Sequence, residues 1–524
     1  MRCARTLKRM CVLLPIAVTI ACGGGGASAP SSPPAPKLSF VTPPLPSGML
    51  TFPYSQNIKV NGGGSPFRWR ISSGNLPQGI ALASSSSNSV TISGMPSTAQ
   101  SSTFSIAVTD SKSQTASQSY TITINNLAMA QLLPQGQAPA GIIEIQGLSA
   151  GPFNPASWQR NTLNWVPDVR TPMLAPLTTG PWQNIYSPWA LEQPNGWRMF
   201  YGGWDGTATP NDRVYSVTTS DFLSFQNRIL VIDHGDFQHV NNVNVTQLTD
   251  GSMHMICTVL VDPNSNDKPA YFSSRDGISW NGTPEPYSAK LSDVVSVAND
   301  PSYPGNDFNG GNVLLWDGNA WTFYYSVGIY GGIGQVYRAT ATSPPAFQKT
   351  GIALNTLHYA NDVKKFVVAG KTWYLMALYI ERVNPDPTPP IFTFSMSADG
   401  VTFGSEQNLF SAASSADTFL MTPSFVTAGP AILGVLYGAN PTDLGAATSQ
   451  IFARWLQRKA VFTDNSGTEV LIKGAFGPDR QWLQAPASGL VTVNIALYAE
   501  DGIAPLGKGS VTLTAGQSYT LVLN

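Results

Sequence analysis

Ser274-Arg275-Asp276-Gly277-Ile278-Ser279-Trp280 and Ser397-Ala398-Asp399-Gly400-Val401-Thr402-Phe403 are one hairpin written twice: a hydroxyl, an acid, a glycine and a closing aromatic at the same offsets. Looser copies run from Ser220 to Phe225 and end at Phe347. The closing aromatics Phe225, Trp280, Phe347 and Phe403 lie 55, 67 and 56 residues apart. Working outward, each hairpin follows an aromatic-rich strand such as Trp197-Arg198-Met199-Phe200-Tyr201, Trp321-Thr322-Phe323-Tyr324-Tyr325 or Trp373-Tyr374-Leu375-Met376. Ahead of these, the expected starts of the inner strands, Ser187, Asn242, Asp307 and Asp362, lie 55, 65 and 55 apart. Two independent rulers therefore agree across residues 186–437. A fifth inner strand opens near Thr422, and its unit runs to about Phe462. A four-strand unit recurring at this period predicts the blades of a β-propeller, five in number.

A chain of 524 residues is too long for one core. It holds 48 Gly and 41 Pro with only 11% charged residues, which fits short strands joined by turns, as in secreted β-proteins. A formal net charge of -1 implies no basic face and argues against nucleic acid as a partner.

The first 22 residues read as an address. Arg2, Arg5, Lys8 and Arg9 precede an apolar run from Met10 to Ala21, too short to span a bilayer but suited to a signal peptide. It ends Thr19-Ile20-Ala21-Cys22, which resembles the bacterial lipobox, with Thr19 in place of the usual Leu. That resemblance implies lipidation of Cys22 and, with Gly23 following, an outer-membrane lipoprotein that touches the membrane through its lipid alone. With Cys3 and Cys11 removed and Cys22 lipidated, Cys257 is left alone and the mature chain forms no internal disulfide. Residues 23–37 are a Gly- and Pro-rich tether.

Residues 38–126 alternate apolar and polar in runs such as Phe67-Arg68-Trp69-Arg70-Ile71 and Phe104-Ser105-Ile106-Ala107-Val108, the pattern of a sandwich. Gly63-Gly64-Ser65-Pro66-Phe67, Gly74-Asn75-Leu76-Pro77-Gln78-Gly79-Ile80, Ile92-Ser93-Gly94-Met95-Pro96 and Val108-Thr109-Asp110-Ser111 resemble the immunoglobulin-like repeats of bacterial surface proteins. Asp110 is the only carboxylate of this stretch, too little for a calcium cage, so the module reads as a spacer. Residues 127–183, rich in Pro and carrying Trp158, Trp165 and Trp182, are expected to lead into the propeller and help close it, giving a propeller region of 127–462. Residues 463–524 read as a small C-terminal β-sandwich. The whole chain is thus expected to be all-β and monomeric.

In a propeller the starts of first strands and the ends of second strands converge on one mouth. That rule gathers Ser187 with Trp204 and Asp205, Asn242 and Asn244 with Asp262, Asp307 with Asn309, and Asp362 and Lys364 with Glu381 and Arg382. Carboxylates around a polar funnel suit general acid and base work on a glycosidic bond; the plainer alternative is that Asp and Asn at strand starts cap turns. Trp189 and Trp204 are candidates for stacking on a sugar face, against the alternative that they pack between blades. The four His are scattered with no zinc spacing.

The units and strand-start residues resemble the five-bladed superfamily of arabinanases, xylosidases, levansucrases and invertases. That resemblance implies carbohydrate as the partner and three acidic positions. The orienting acid of the third blade falls on Asp307, the general acid of the fourth on Asp362, and the base or nucleophile of the first on Ser187, which has no carboxylate. Asp205 is then the nearest substitute base and Glu381 an alternative acid, with Ser187, Trp189, Trp204, Asn242 and Asn309 as substrate contacts. Sialidases, whose blades also carry Ser-x-Asp hairpins, need several Arg around a carboxylate, and no strand-start position here is Arg. No cofactor is called for; a structural calcium in the propeller channel is the one metal left open. Two functions remain: a glycoside hydrolase, or a non-catalytic glycan-binding surface protein using the same mouth.

Overall fold

The computed structural model describes residues 37–178, 183–206, 209, 211–261, 266–300, 311–327, 334–380, 391–442 and 448–524. The chain divides into two compact units, up to Asn125 and from Asn126 onward. The described residues are almost entirely strand and turn.

The first unit is an immunoglobulin-like sandwich. One sheet orders its strands Ser39–Phe40, Tyr54–Asn61, Ser89–Gly94 and Ile80–Leu82; the other orders Gly48–Met49, Thr115–Asn125, Gln100–Thr109 and Arg68–Gly74. Alternation puts Ile58, Ile92, Ile106 and Ile122 in one sealed core. Asp110 accepts bonds from the N–H groups of Gly64, Lys112 and Gln114 at 2.8–3.0 Å, so this module's single carboxylate locks a turn.

Among the described residues of the second unit, five sheets follow one another. The first contains Asn184–Gln193, Gly196–Trp204, Arg213–Thr219 and Gln226–Asp233; the second His239–Gln247, Met253–Leu260 and Lys268–Ser274. The third contains Asn312–Trp316, Trp321–Val327, Gln335–Ala341 and Ala346–Asn355; the fourth Tyr359–Val368, Lys371–Tyr379, Ile391–Ser397 and Gln407–Ser411. The fifth contains Phe419–Ala428, Ala431–Asn440 and Gln450–Leu456. First strands lie against one another in chain order, and that of the fifth sheet lies against that of the first, so the sheets form a ring. Aromatic and aliphatic side chains seal each sheet to its neighbours.

The repeated hairpins fold as their text predicts. Ser274 and Ser397 accept from the N–H of Gly277 and Gly400, while Asp276 and Asp399 each accept two amides further on. Both glycines have φ near 70°, where a Cβ would be strained and would also press on Arg198 and Met253 or on Tyr374. The second sheet departs from the four-strand expectation. After Trp280 the chain lays Tyr287–Ser288 along the first sheet and Ser296–Ala298 along the third, which accounts for the longer spacing there.

The lead-in is divided, and this corrects its assignment to the propeller alone. Ala128–Gln137 and Ile142–Gln146 enter an eight-stranded sheet with Lys459–Asp464, Leu490–Tyr498, Pro505–Thr514, Gln517–Leu523, Arg480–Gln484 and Ile472–Ala475. They do so because Ala130, Leu132, Ile143 and Ile145 alternate into a core with Leu483, Val493, Ile495 and Leu521. Next, the helix Pro155–Arg160, capped by Asn154, inserts Trp158 edge-on against Phe394 and Phe425. Trp165–Pro167 then becomes the outer strand of the fifth sheet, paired with Gln450–Leu456, so this part does help close the ring. Cys257 is wholly buried, and burial pushes its thiol up, leaving it inert.

Candidate binding site at the strand-start end of the ring

Four of the five first strands carry a bulge near their start, whereas Asn312–Trp316 pairs without one. The register slips between Tyr186 and Trp189, Asn241 and Asn244, Ala360 and Asp362, and Met421 and Ser424. Ser187, Asn242 and Thr422 sit in the left-handed region there, with φ of 52°, 52° and 49°, a conformation costing about 1 kcal/mol or more for a residue with a Cβ. Neighbouring bulges hold one another: Ser187 N–H donates to Thr422 Oγ1 at 3.0 Å, and Asn361 Nδ2 to Pro423 O at 3.0 Å. Bulges of this kind re-aim side chains and recur beside functional sites.

The residue after each bulge faces the next sheet. Asn244 Oδ1 accepts from Leu314 N–H at 3.0 Å, Asp362 Oδ2 from Phe425 N–H at 2.7 Å, and Ser424 donates to Pro188 O. Asp362 is fully enclosed. Its Oδ2 also lies 3.3 Å from Lys364 Nζ, and its Oδ1 has no partner among the described residues. Burial raises the Asp362 carboxyl to about 6 against the pull of the ammonium, and burial likewise lowers the Lys364 ammonium against the pull of the carboxylate. Desolvation thus outweighs attraction on both sides of the pair. From the fourth sheet, Lys364 reaches the first and lies 3.7 Å from the centroid of Trp189.

These contacts place the sequence candidates. Asp307, Asn309, Glu381 and Cys22 lie outside the described residues, as do Asp262 and Arg382. Trp189 is not at the mouth: it is 3% exposed, packed among Phe200, Val240 and Val245 between the first two sheets, because the bulge turns it inward. Trp204 is half-buried at the end of its strand, its N–H donating to Asn184 Oδ1 at 2.7 Å. Asn242 is buried, with Nδ2 3.4 Å from Thr258 Oγ1, and the hydroxyl of Ser187 is sealed without a partner among the described residues.

Asp205 does not stand free as a base. Leu177 N–H holds its Oδ1 at 2.6 Å, while Tyr201 and Arg228 hold its Oδ2 at 2.9 and 2.6 Å. The same latch recurs in the ring. Tyr325 donates to Asp300, which also binds Lys349, and Tyr437 donates to Asp417; each tyrosine lies on a second strand beside an aromatic of the third. Three repeats of a buried Tyr–Asp pair mark a structural device.

One cluster was missed in the sequence. Tyr186 donates to Asp212 Oδ2 at 2.6 Å, and Asn241 Nδ2 reaches Tyr186 at 2.6 Å and Asp212 at 3.4 Å. Asp212 enters from the connection between second and third strands, at the same end as the strand starts. Its signal is Asn211-Asp212-Arg213, which lies between a second strand's end and a third strand's start and so escapes a rule built on strand starts and second-strand ends.

Near Asp362 the positive charge is already supplied by Lys364, so these donors do not make a calcium cage. Among the described residues no three His, Cys, Asp or Glu side chains gather as metal ligands.

Comparison with known proteins gives two findings. A family described as "Putative Ig domain" matches residues 28–125. Among solved structures, a protein named "Glycoside hydrolase" is 13% identical, covering 58% of this chain and 95% of its own, with a TM-score of 0.43. A thermostable family-43 glycoside hydrolase is 11% identical over 54% of this chain and 93% of its own, with a TM-score of 0.38. A Bombyx mori GH32 β-fructofuranosidase is 10% identical over 70% of this chain and 96% of its own, with a TM-score of 0.36. These are distant likenesses and assign no role to any residue here. No curated protein matches the chain.

Proposed function

We propose that the ring is a five-bladed propeller whose strand-start end binds carbohydrate, in a monomeric lipoprotein held to the bacterial outer membrane through Cys22. Binding is favoured over hydrolysis by one observation: the two described strand-start positions that would carry acid and base hold an enclosed carboxylate and a sealed hydroxyl. Asp362 is committed to Phe425 and Lys364, and Ser187 has no charge to offer. Hydrolysis needs two carboxyl groups about 5 to 9.5 Å apart across the scissile bond. Asp212 and Trp204, both half-buried, are the described side chains best placed to contact a glycan, with Asn241 buried behind Asp212.

A hydrolase remains the second reading because the Asp362 carboxyl, raised to about 6 with Oδ1 unengaged, has the proton affinity of a general acid. Asp307 and Glu381 would then supply the remaining carboxylates. A screen of the purified chain against arabinans, xylans and fructans, read for both binding and turnover, separates the two. Binding without turnover that survives Asp307→Asn and Asp362→Asn supports the first reading; turnover abolished by either change supports the second.

A further inference from the structure

The ring has a second polar cleft at the opposite end from the strand starts. A cavity of about 380 Å³ opens between the turn joining the first sheet's first two strands and the connection from its third strand to its fourth. Gln193, Asn195, Gln226, Thr218, Trp197 and Arg198 line it, and none of its lining residues is acidic. Arg198 is its sole cation. This guanidinium is half-buried and, among the described residues, makes one hydrogen bond, from Nη1 to Ser216 Oγ at 3.0 Å, and no ion pair. Asp276 and Glu285 act on it only through space, and the Asp276 Oδ1 is already engaged by the amides of Ile278 and Ser279.

A guanidinium carries five N–H donors in a planar fork, and those of Arg198 that bond no side chain among the described residues stay open to water, which a ligand can displace. One fork without a second cation suits a monoanionic carboxylate better than a phosphate dianion. Around it, two exposed amides, a half-buried amide and a hydroxyl offer the mixed donors and acceptors that sugar hydroxyls require, while the ring of the neighbouring Trp197 turns to the other face, onto Phe222.

We propose that this cleft binds a uronic-acid residue of an acidic saccharide, its carboxylate seated on Arg198. The saccharide part rests on the carbohydrate reading above, whereas the carboxylate part rests on Arg198 alone. The test is calorimetric titration of the full chain with trigalacturonate, its methyl ester and acetate, on wild type, Arg198→Gln and Arg198→Lys. Esterification and Arg198→Gln are each expected to weaken binding by about tenfold or more, and Arg198→Lys by less, because the charge stays while the fork is lost. Acetate is expected to compete poorly. Neutral-glycan binding at the strand-start end should be unchanged by Arg198→Gln, so failure there and failure here are separable. Equal binding of acid and ester, indifference to Arg198→Gln, or no binding of trigalacturonate overturns the proposal. Acetate competing as well as the trisaccharide overturns the saccharide part. If Arg198→Gln does not fold, Asn195→Ala and Gln226→Ala on the exposed rim should each weaken trigalacturonate several-fold, and indifference to both overturns it equally.

Discussion

Asn244 in the second sheet and Asp362 in the fourth hold the same post, so the structural counterpart of Asp362 is Asn244 and not Asn242, with which the even spacing matched it. Each follows a bulge, each is fully buried, and each accepts the N–H of a residue on the next sheet's first strand. An uncharged amide therefore suffices to tie one sheet to the next. The charge on Asp362 is an addition, and it comes with a partner that Asn244 lacks, the Lys364 ammonium. The carboxylate and the lysine therefore belong together as a pair, and the inter-sheet bond needs neither charge.

The largest effect should come from removing the cation alone. Lys364→Met leaves a buried carboxylate unpaired and is expected to cost about 3–5 kcal/mol in urea unfolding followed by tryptophan fluorescence. Adding Asp362→Asn to it should recover most of that loss, since the fourth sheet would then resemble the second. A double mutant as unstable as Lys364→Met would break the equivalence. Next, Asn244→Asp places a charge at the uncharged post, where no ammonium pairs with it among the described residues, and a loss of roughly 3 kcal/mol at neutral pH is expected. That loss should shrink in acid as the new carboxyl takes up a proton.

The pH dependence of the natural pair sharpens the same point. Burial raises the folded Asp362 carboxyl to about 6, above its unfolded value of about 3.9. Its contribution is therefore fully present below pH 4 and is lost as pH rises through 6, a change of up to about 3 kcal/mol. Urea midpoints of wild type and Asp362→Asn should diverge across that window, and parallel profiles would show that Asp362 does not titrate there. The smallest effect belongs to the hairpins, where Gly400→Ala puts a Cβ at φ 68° against Tyr374 and should cost about 1–2 kcal/mol by the same measurement. On the proposed lipidation, Cys22→Ala is expected to abolish incorporation of labelled lipid, and wild type that takes up no lipid would overturn that proposal.

Much of the ring was legible in the text, because turn chemistry and strand alternation act between residues a few positions apart. Ser274 and Asp276 capture amides within five residues of themselves, and the period between hairpins follows from counting. The site was less legible. In the sequence Asp205 reads as a spare base, yet Arg228 and Tyr201 hold it, and Trp189 reads as a sugar platform, yet the bulge at Ser187 turns it inward.

By itself, the sequence determined that this protein is built of β-hairpins repeated at a near-constant interval behind an immunoglobulin-like module, since each of those features is written in neighbouring residues. Only the tertiary structure decided that Ala128–Gln137 pairs with Gln517–Leu523, that Lys364 crosses from the fourth sheet to Trp189 on the first, and that Asp362 is an inter-sheet tie. The physical reason is the range of the interaction. A turn is decided by the few residues within it, whereas the partner of a buried charge is whichever side chain the closed ring brings beside it, however far away it lies along the chain.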